Sequence, residues 1–125
     1  MEQTVTGTGL SVISYLYDKI QDSSVLTSAL GNRIFPLVAK QGTDFPYLIM
    51  KLESIQPAYS KDGRLHDNIT VSISVYDKDY VTVVNIQELI RNLLESNSFK
   101  LDSFNEDFNS GAYKQTVYYR TFYKN

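Results

Sequence analysis

The sequence predicts a single α+β domain: an antiparallel sheet of about four main strands with two main helices packed on one face. Three observations point to it. Residues 68–77, NITVSISVYD, alternate apolar Ile69, Val71, Ile73 and Val75 with uncharged Thr70, Ser72 and Ser74, the period-two pattern of a strand with one face on a core. Downstream, Val83, Ile86, Ile90, Leu93 and Leu94 recur at helical spacing while Glu88, Arg91 and Glu95 fall off that stripe, as in a helix lying on a sheet. Short turn-rich connections join the extended stretches, which pairs consecutive strands antiparallel and leaves the helices to cover the apolar face.

Each element follows in chain order. Residues 1–7 are polar and rich in Gly and Thr and read as a loose leader ahead of a domain spanning 8–125. Leu10, Ile13, Leu16, Tyr17 and Ile20 set a first helix over about 8–20, with Thr8 as a candidate cap. QDSS ends it, and Asp22 or Ser23 caps a short second helix carrying Val25, Leu26, Ala29 and Leu30. Gly31 suits the position after that helix. RIFPLV is a short extended segment, and Pro36 keeps it out of the middle of a sheet, so it is an edge or an arm. After the loop AKQGTD and Pro46, YLIMKLESI reads as a strand that Pro57 ends. Asp62-Gly63 marks a hairpin into the strand of 68–76. Asp77 or Asp79 starts the long helix of about 79–96. Phe99, Leu101, Phe104 and Phe108 alternate imperfectly in the next strand, NSG turns the chain, and AYKQTVYYRTFYK is a long Tyr-rich strand.

Composition narrows the chemistry. With 12 basic and 14 acidic residues the net charge is −2 and no basic stripe appears, which disfavours specific binding of nucleic acid through phosphates. The chain has no Cys, so disulfides, thiolate nucleophiles and the common structural zinc sites are excluded. No 18-residue apolar window suggests a membrane span, and the N-terminus lacks the basic region of a signal peptide. His66 is the single histidine, in a polar hairpin with no evident partner. The carboxylates at Asp77 and Asp79 are explained by capping, and SFNEDFNSG lacks the spacing of a calcium loop. The reading is therefore no enzyme, no cofactor and no metal. Ten Tyr and six Phe are a surplus of aromatics, of the kind that half-exposed strands and protein interfaces both use.

Three stretches carry a family resemblance: LTSALGNRIFPLVAKQGTDFPYLIMKLES, the polar YSKDGRLHDNITVSISVYD, and the helix VVNIQELIRNLLES. A short helix ending at Gly, then Arg-aromatic-Pro, a Gly loop, a Pro-Tyr strand, an alternating strand and a helix across the sheet resembles the tail-completion, or tail-terminator, proteins of long-tailed double-stranded DNA phages and prophages. The resemblance covers about residues 8–96. It implies a structural protein that caps the tail tube as a homo-oligomeric, usually hexameric ring, ending tail growth and joining the tail to the head connector. Its partners are then its own copies, the tail-tube protein and the connector. DNA passes through the ring without being held, and the protein resides in the virion tail after assembly in the bacterial cytoplasm. The alternatives are another head–tail connector or tail-tube component, or a small binding module of host origin. Backbone left unpaired beside Pro36 is a liability in a monomer and useful in a ring. On that basis the expected subunit interface includes Ile34, Phe35, Pro36 and Gly42 of the arm, Tyr59, Lys61 and Arg64 of the hairpin, and Tyr119 of the last strand.

Overall fold

The alternating stretch becomes the centre of the molecule. In the computed structural model, Ile69, Val71, Ile73 and Val75 are all fully buried, and the strand that carries them runs Gly63–Asp77. The structure describes residues 9–124, except for the side chains of Arg64, Leu65, Tyr123 and Lys124. The expected leader at 1–7 and the Thr8 cap lie outside it. The described elements are a 3₁₀ turn Gly9–Ser11, α1 (Val12–Gln21), α2 (Ser24–Leu30), β1 (Ile34–Pro36), β2 (Tyr47–Ser60), β3 (Gly63–Asp77), α3 (Tyr80–Glu95), β4 (Lys100–Asn109) and β5 (Ala112–Lys124).

The sheet has five strands in the order β1-β2-β3-β5-β4. Four pair antiparallel, as expected, but β1 adds a fifth and runs parallel to β2, with Ile34 opposite Leu48 and Pro36 opposite Met50. The sheet is thus mixed. The short second helix joins the two main ones in one core: Val12, Leu16 and Ile20 of α1, Leu26 and Leu30 of α2, and Val83, Ile86, Ile90 and Leu94 of α3 pack with the inward side chains of the strands. Three helix and turn assignments hold. The Ser23 hydroxyl accepts from the Leu26 N–H at 3.4 Å, Gly31 follows α2 with φ of 60°, and the Asp79 carboxylate accepts from the Thr82 N–H at 3.3 Å and its hydroxyl at 2.7 Å.

The hairpin strands run further than expected, with β3 starting at Gly63 rather than 68, and the alternation of β4 is broken; the end of β2 and the β4 break each have a physical reason. β2 does not stop before Pro57; it continues to Ser60, with Pro57 opposite Asp67. Only residues 48–50 of β2 are covered by β1, so the later part is a sheet edge, where a missing N–H removes no ladder bond. In β4 the register shifts between Leu101 and Ser103. That bulge explains the imperfect alternation: the extra residue, Asp102, returns Phe104 and Phe108 to the face of Leu101. The turn into β5 uses Ser110 and Gly111, both at positive φ (56° and 81°), the backbone twist that two-residue hairpin turns need.

Pairing of β3 with β5 sets Ile73 opposite Val117 and Val71 opposite Tyr119. The polar face of β3 is buried as well. The Ser72 hydroxyl donates to a Glu53 carboxylate oxygen at 2.8 Å, and Ser74 shares a 2.8 Å hydrogen bond with Thr116. Gln87, on the sheet side of α3, donates its amide to the carbonyls of Ile73 (3.1 Å) and Gln115 (2.7 Å). One helix residue thereby fixes α3 over the β3–β5 seam, which leaves β4 as an edge strand beside it.

Candidate assembly surfaces

Three surfaces stand out from the body: the arm after β1, the β2–β3 hairpin, and the outer edge of β4. The arm is anchored by Arg33. Its Nε donates to the Pro46 carbonyl at 2.8 Å and its terminal nitrogen to the Ala29 carbonyl at 3.3 Å. The guanidinium thus joins the end of α2 to the point where the arm returns to the sheet, and Leu37 N–H donates to the Met50 carbonyl at 2.8 Å. Between these anchors the arm points outward. Leu37 and Val38 are 64% and 69% exposed, and Gly42 has φ of 80° with open space around it.

Where the arm returns, aromatic rings line the outer face of the sheet. Phe45 stacks on Tyr47 at 5.5 Å between centroids, Tyr47 on Tyr76 at 4.7 Å, and Phe35 meets Tyr47 edge-on at 6.4 Å. Lys78 lies over Phe45 and Lys114 over Tyr76, each within 6 Å of the ring, close enough for cation–π attraction. Burial, and then the neighbouring Tyr76, raise the Tyr47 phenol above its ordinary range. Much of the aromatic surplus is therefore strand surface.

At the hairpin, Tyr59 is 68% exposed and Lys61 is also exposed. The Ser60 hydroxyl tightens the turn, accepting from the Asp62 N–H at 3.1 Å and donating to the Gly63 carbonyl at 3.4 Å. Arg64 pairs with Tyr59 along the backbone; its side chain lies outside the described part. His66 is not the isolated residue the sequence implied. Its ring meets Phe122 edge-on at 5.4 Å. An aromatic pair of this kind contributes roughly 0.5–1.5 kcal/mol. His66→Ala should therefore cost about 1 kcal/mol in urea unfolding and leave assembly unchanged; a loss of assembly by a folded variant would overturn that.

Two of the eight residues expected at an interface are core residues. Ile34 is 3% exposed and Tyr119 is 0% exposed, so within a folded subunit neither has surface to offer. Tyr119 looked like surface because Tyr118 and Tyr119 are adjacent and either could face inward. The pairing of Val117 with Ile73 settles which one does, since Tyr119 is two residues on and shares that face. Phe35 is half-buried, while Pro36, Gly42, Tyr59 and Lys61 are exposed.

Tyr119 and Gln87 line a crevice of about 160 Å³ between α3 and β4, with Val84, Glu88, Leu101 and Phe104. The Tyr119 hydroxyl and Gln87 Oε1 are buried with no hydrogen-bond partner among the described residues, and burial raises the Tyr119 phenol well above its ordinary range. A buried polar atom without a partner costs roughly 1–3 kcal/mol. Tyr119→Phe should therefore raise the unfolding free energy by about 1 kcal/mol in urea titration. A loss of that size would show that the hydroxyl is satisfied.

Sequence reasoning missed Arg33 as an anchor and the exposed pair on β4: Phe104 and Phe108 are 57% and 58% exposed. Their signal was present in the spacing but hidden by the bulge.

With the geometry in place, the family is decided by a match to the sequence profile of Tail completion protein gp17 over residues 14–112. The chain belongs to this tail completion family. The matched span runs from α1 to the first residue of β5, and so includes the arm, the hairpin, α3 and β4. Among solved structures, a chain from "Virion of native gene transfer agent (GTA) particle" superposes with a TM-score of 0.72 at 12% identity, covering 88% of this chain and 92% of its own. At that identity the likeness shows a shared fold. No match was found among curated proteins. Membership supports a structural role in a phage tail for this chain. Among the described residues, no helix is long and apolar enough to cross a membrane, and no group of three His, Cys, Asp or Glu could hold a metal ion.

Proposed function

We propose that this tail completion protein caps the tail tube as a homo-oligomeric ring, about six copies around, ending tail growth and joining the tail to the head connector. The profile match over residues 14–112 carries the reading. The subunit supports it with outward features that a lone globule does not need: the anchored arm with Leu37 and Val38 exposed, and a long edge strand bearing two exposed Phe. The solved neighbour is part of a virion, which fits a place in an assembled particle. The net charge of −2 suits a lumen that lets DNA pass without gripping it. In this reading the protein performs no catalysis, and it assembles in the bacterial cytoplasm before residing in the tail. The interface includes Phe35 and Pro36 of β1, Gly42 of the arm, and Tyr59, Lys61 and Arg64 of the hairpin.

Deleting the gene in its phage and imaging the particles tests this. Overlong tails, or tails that never join heads, are expected. Tails of normal length joined to heads would overturn it. Normal-length tubes that fail only at joining would instead favour a connector component acting after the tube is finished.

A further inference from the structure

β4 closes one side of the sheet, so one row of its backbone N–H and C=O groups faces away from β5. It is ten residues long, and Phe104 and Phe108 stand exposed on the face it shares with α3. The bulge at Asp102 and the charged side chains blunt part of this edge, but past the bulge residues 103–109 pair without interruption and keep two exposed aromatics on a continuous edge. Between the two Phe sits Glu106, held in place. Its carboxylate accepts from the Tyr80 hydroxyl and from the Gln115 amide, the latter at 2.9 Å. These two donors, Tyr80 first, hold its carboxyl below the usual carboxylate range, so it is ionised at neutral pH. The edge therefore presents a fixed anion flanked by two apolar rings.

The opposite side of the same sheet carries the complement. After β1, Val38 is 69% exposed and Lys40 is exposed. Residues 38–40 lie outside any helix or strand; the Val38 N–H donates to the Pro36 carbonyl at 2.9 Å, and the Lys40 carbonyl opens a turn by accepting from the Thr43 N–H at 3.2 Å. Seated as extended chain on a strand edge, the segment would set Val38 and Lys40 on the same side about 6.7 Å apart, the spacing that also separates Phe104 from Glu106 and Glu106 from Phe108.

Resting on the ring reading, we propose that the arm of one copy seats on the β4 edge of the next, with Val38 against Phe104 or Phe108 and the Lys40 ammonium on the Glu106 carboxylate. The contact is heterologous, arm to edge, and repeats around a closed ring. A second copy's β4 is the poorer occupant, because antiparallel pairing about this point would bring the acidic Glu106 and Asp107 of two chains together.

Cysteine cross-linking tests it cleanly, since the chain has no Cys of its own. Arm and β4 are separated by four strand spacings, roughly 19 Å, whereas a disulfide needs Cα atoms within roughly 7 Å. Any bond between the two sites therefore joins different copies. Tails are purified from phage carrying Val38→Cys with Phe104→Cys, or Val38→Cys with Phe108→Cys, then oxidised and run unreduced on a denaturing gel. At least one pair should give a ladder of multimers, while each single variant stays monomeric. Lys40→Glu should reduce the ladder at least tenfold, and Glu106→Lys added to it should restore it. Tails that contain the protein but give no ladder from either pair, or dimers from Phe104→Cys alone, overturn the contact and leave the ring reading standing. Tails from the unmodified phage that lack the protein altogether remove the ring reading and the contact with it.

Discussion

Ile73→Ala should lower the unfolding free energy by about 2–5 kcal/mol, the range for truncating a buried aliphatic side chain whose surroundings relax only in part. Ile73 is 0% exposed. It stands opposite Met50 on one side and Val117 on the other, and its carbonyl holds the Gln87 amide of α3. The site is therefore enclosed by β2, β5 and the helix, and little can move in to fill the space. Against the roughly 5–15 kcal/mol that keeps a domain folded, this is a large fraction. Equilibrium urea unfolding of the purified chain checks it. A midpoint close to that of the unmodified chain would mean that this face of β3 is not the packed centre of the molecule.

That centre was the most legible part of the sequence, because local pattern alone determines it. Strict alternation from Ile69 to Val75 and the helical stripe from Val83 to Leu94 each identify a buried face without knowledge of any neighbour. What the pattern cannot carry is which strands lie side by side. β5 pairs with β3 as well as β4, so the Tyr-rich strand is interior and β4 is left at the edge. That order is decided by packing of distant residues such as Gln87 on Gln115. The direction of β1 was equally hidden: three residues show extension, and parallel pairing is fixed only by the path through residues 37–46. On the candidate surfaces, Pro36, Gly42, Tyr59 and Lys61 are exposed and so keep surface to offer a neighbouring copy. Tyr119 was misplaced because period-two reasoning fails when both adjacent residues are tyrosine. Phe104 and Phe108 escaped because the bulge at Asp102 breaks the period between Leu101 and the face it shares with them.

The second large effect separates the arm from the core. Arg33→Ala should cost about 2 kcal/mol, within the roughly 1.5–3 kcal/mol given by hydrogen bonds from a charged donor, taken below the top because the residue is half-exposed. It removes the bond to the Pro46 carbonyl at 2.8 Å and the one to the Ala29 carbonyl at 3.3 Å. The second lies at the end of α2, where a cation also offsets the negative end of the helix. The damage should be local. The Leu48 N–H, which donates to the Arg33 carbonyl at 3.0 Å, should exchange with solvent much faster, while Val71, inside the central ladder, should change little, since sub-global opening does not require the whole domain to unfold. Arg33→Lys keeps the charge but loses the two-pronged geometry, and should recover less than half of the stability. Because the backbone around Leu37 and Val38 is then no longer held at both ends, ordering it at each subunit contact costs additional entropy. The variant should fold, yet fail to yield tails of normal length joined to heads. Uniformly faster exchange across the sheet would show instead that Arg33 is part of the global fold and that the arm has no independent anchor. Normal assembly by a folded Arg33→Ala variant would show that the ring does not depend on a preset arm.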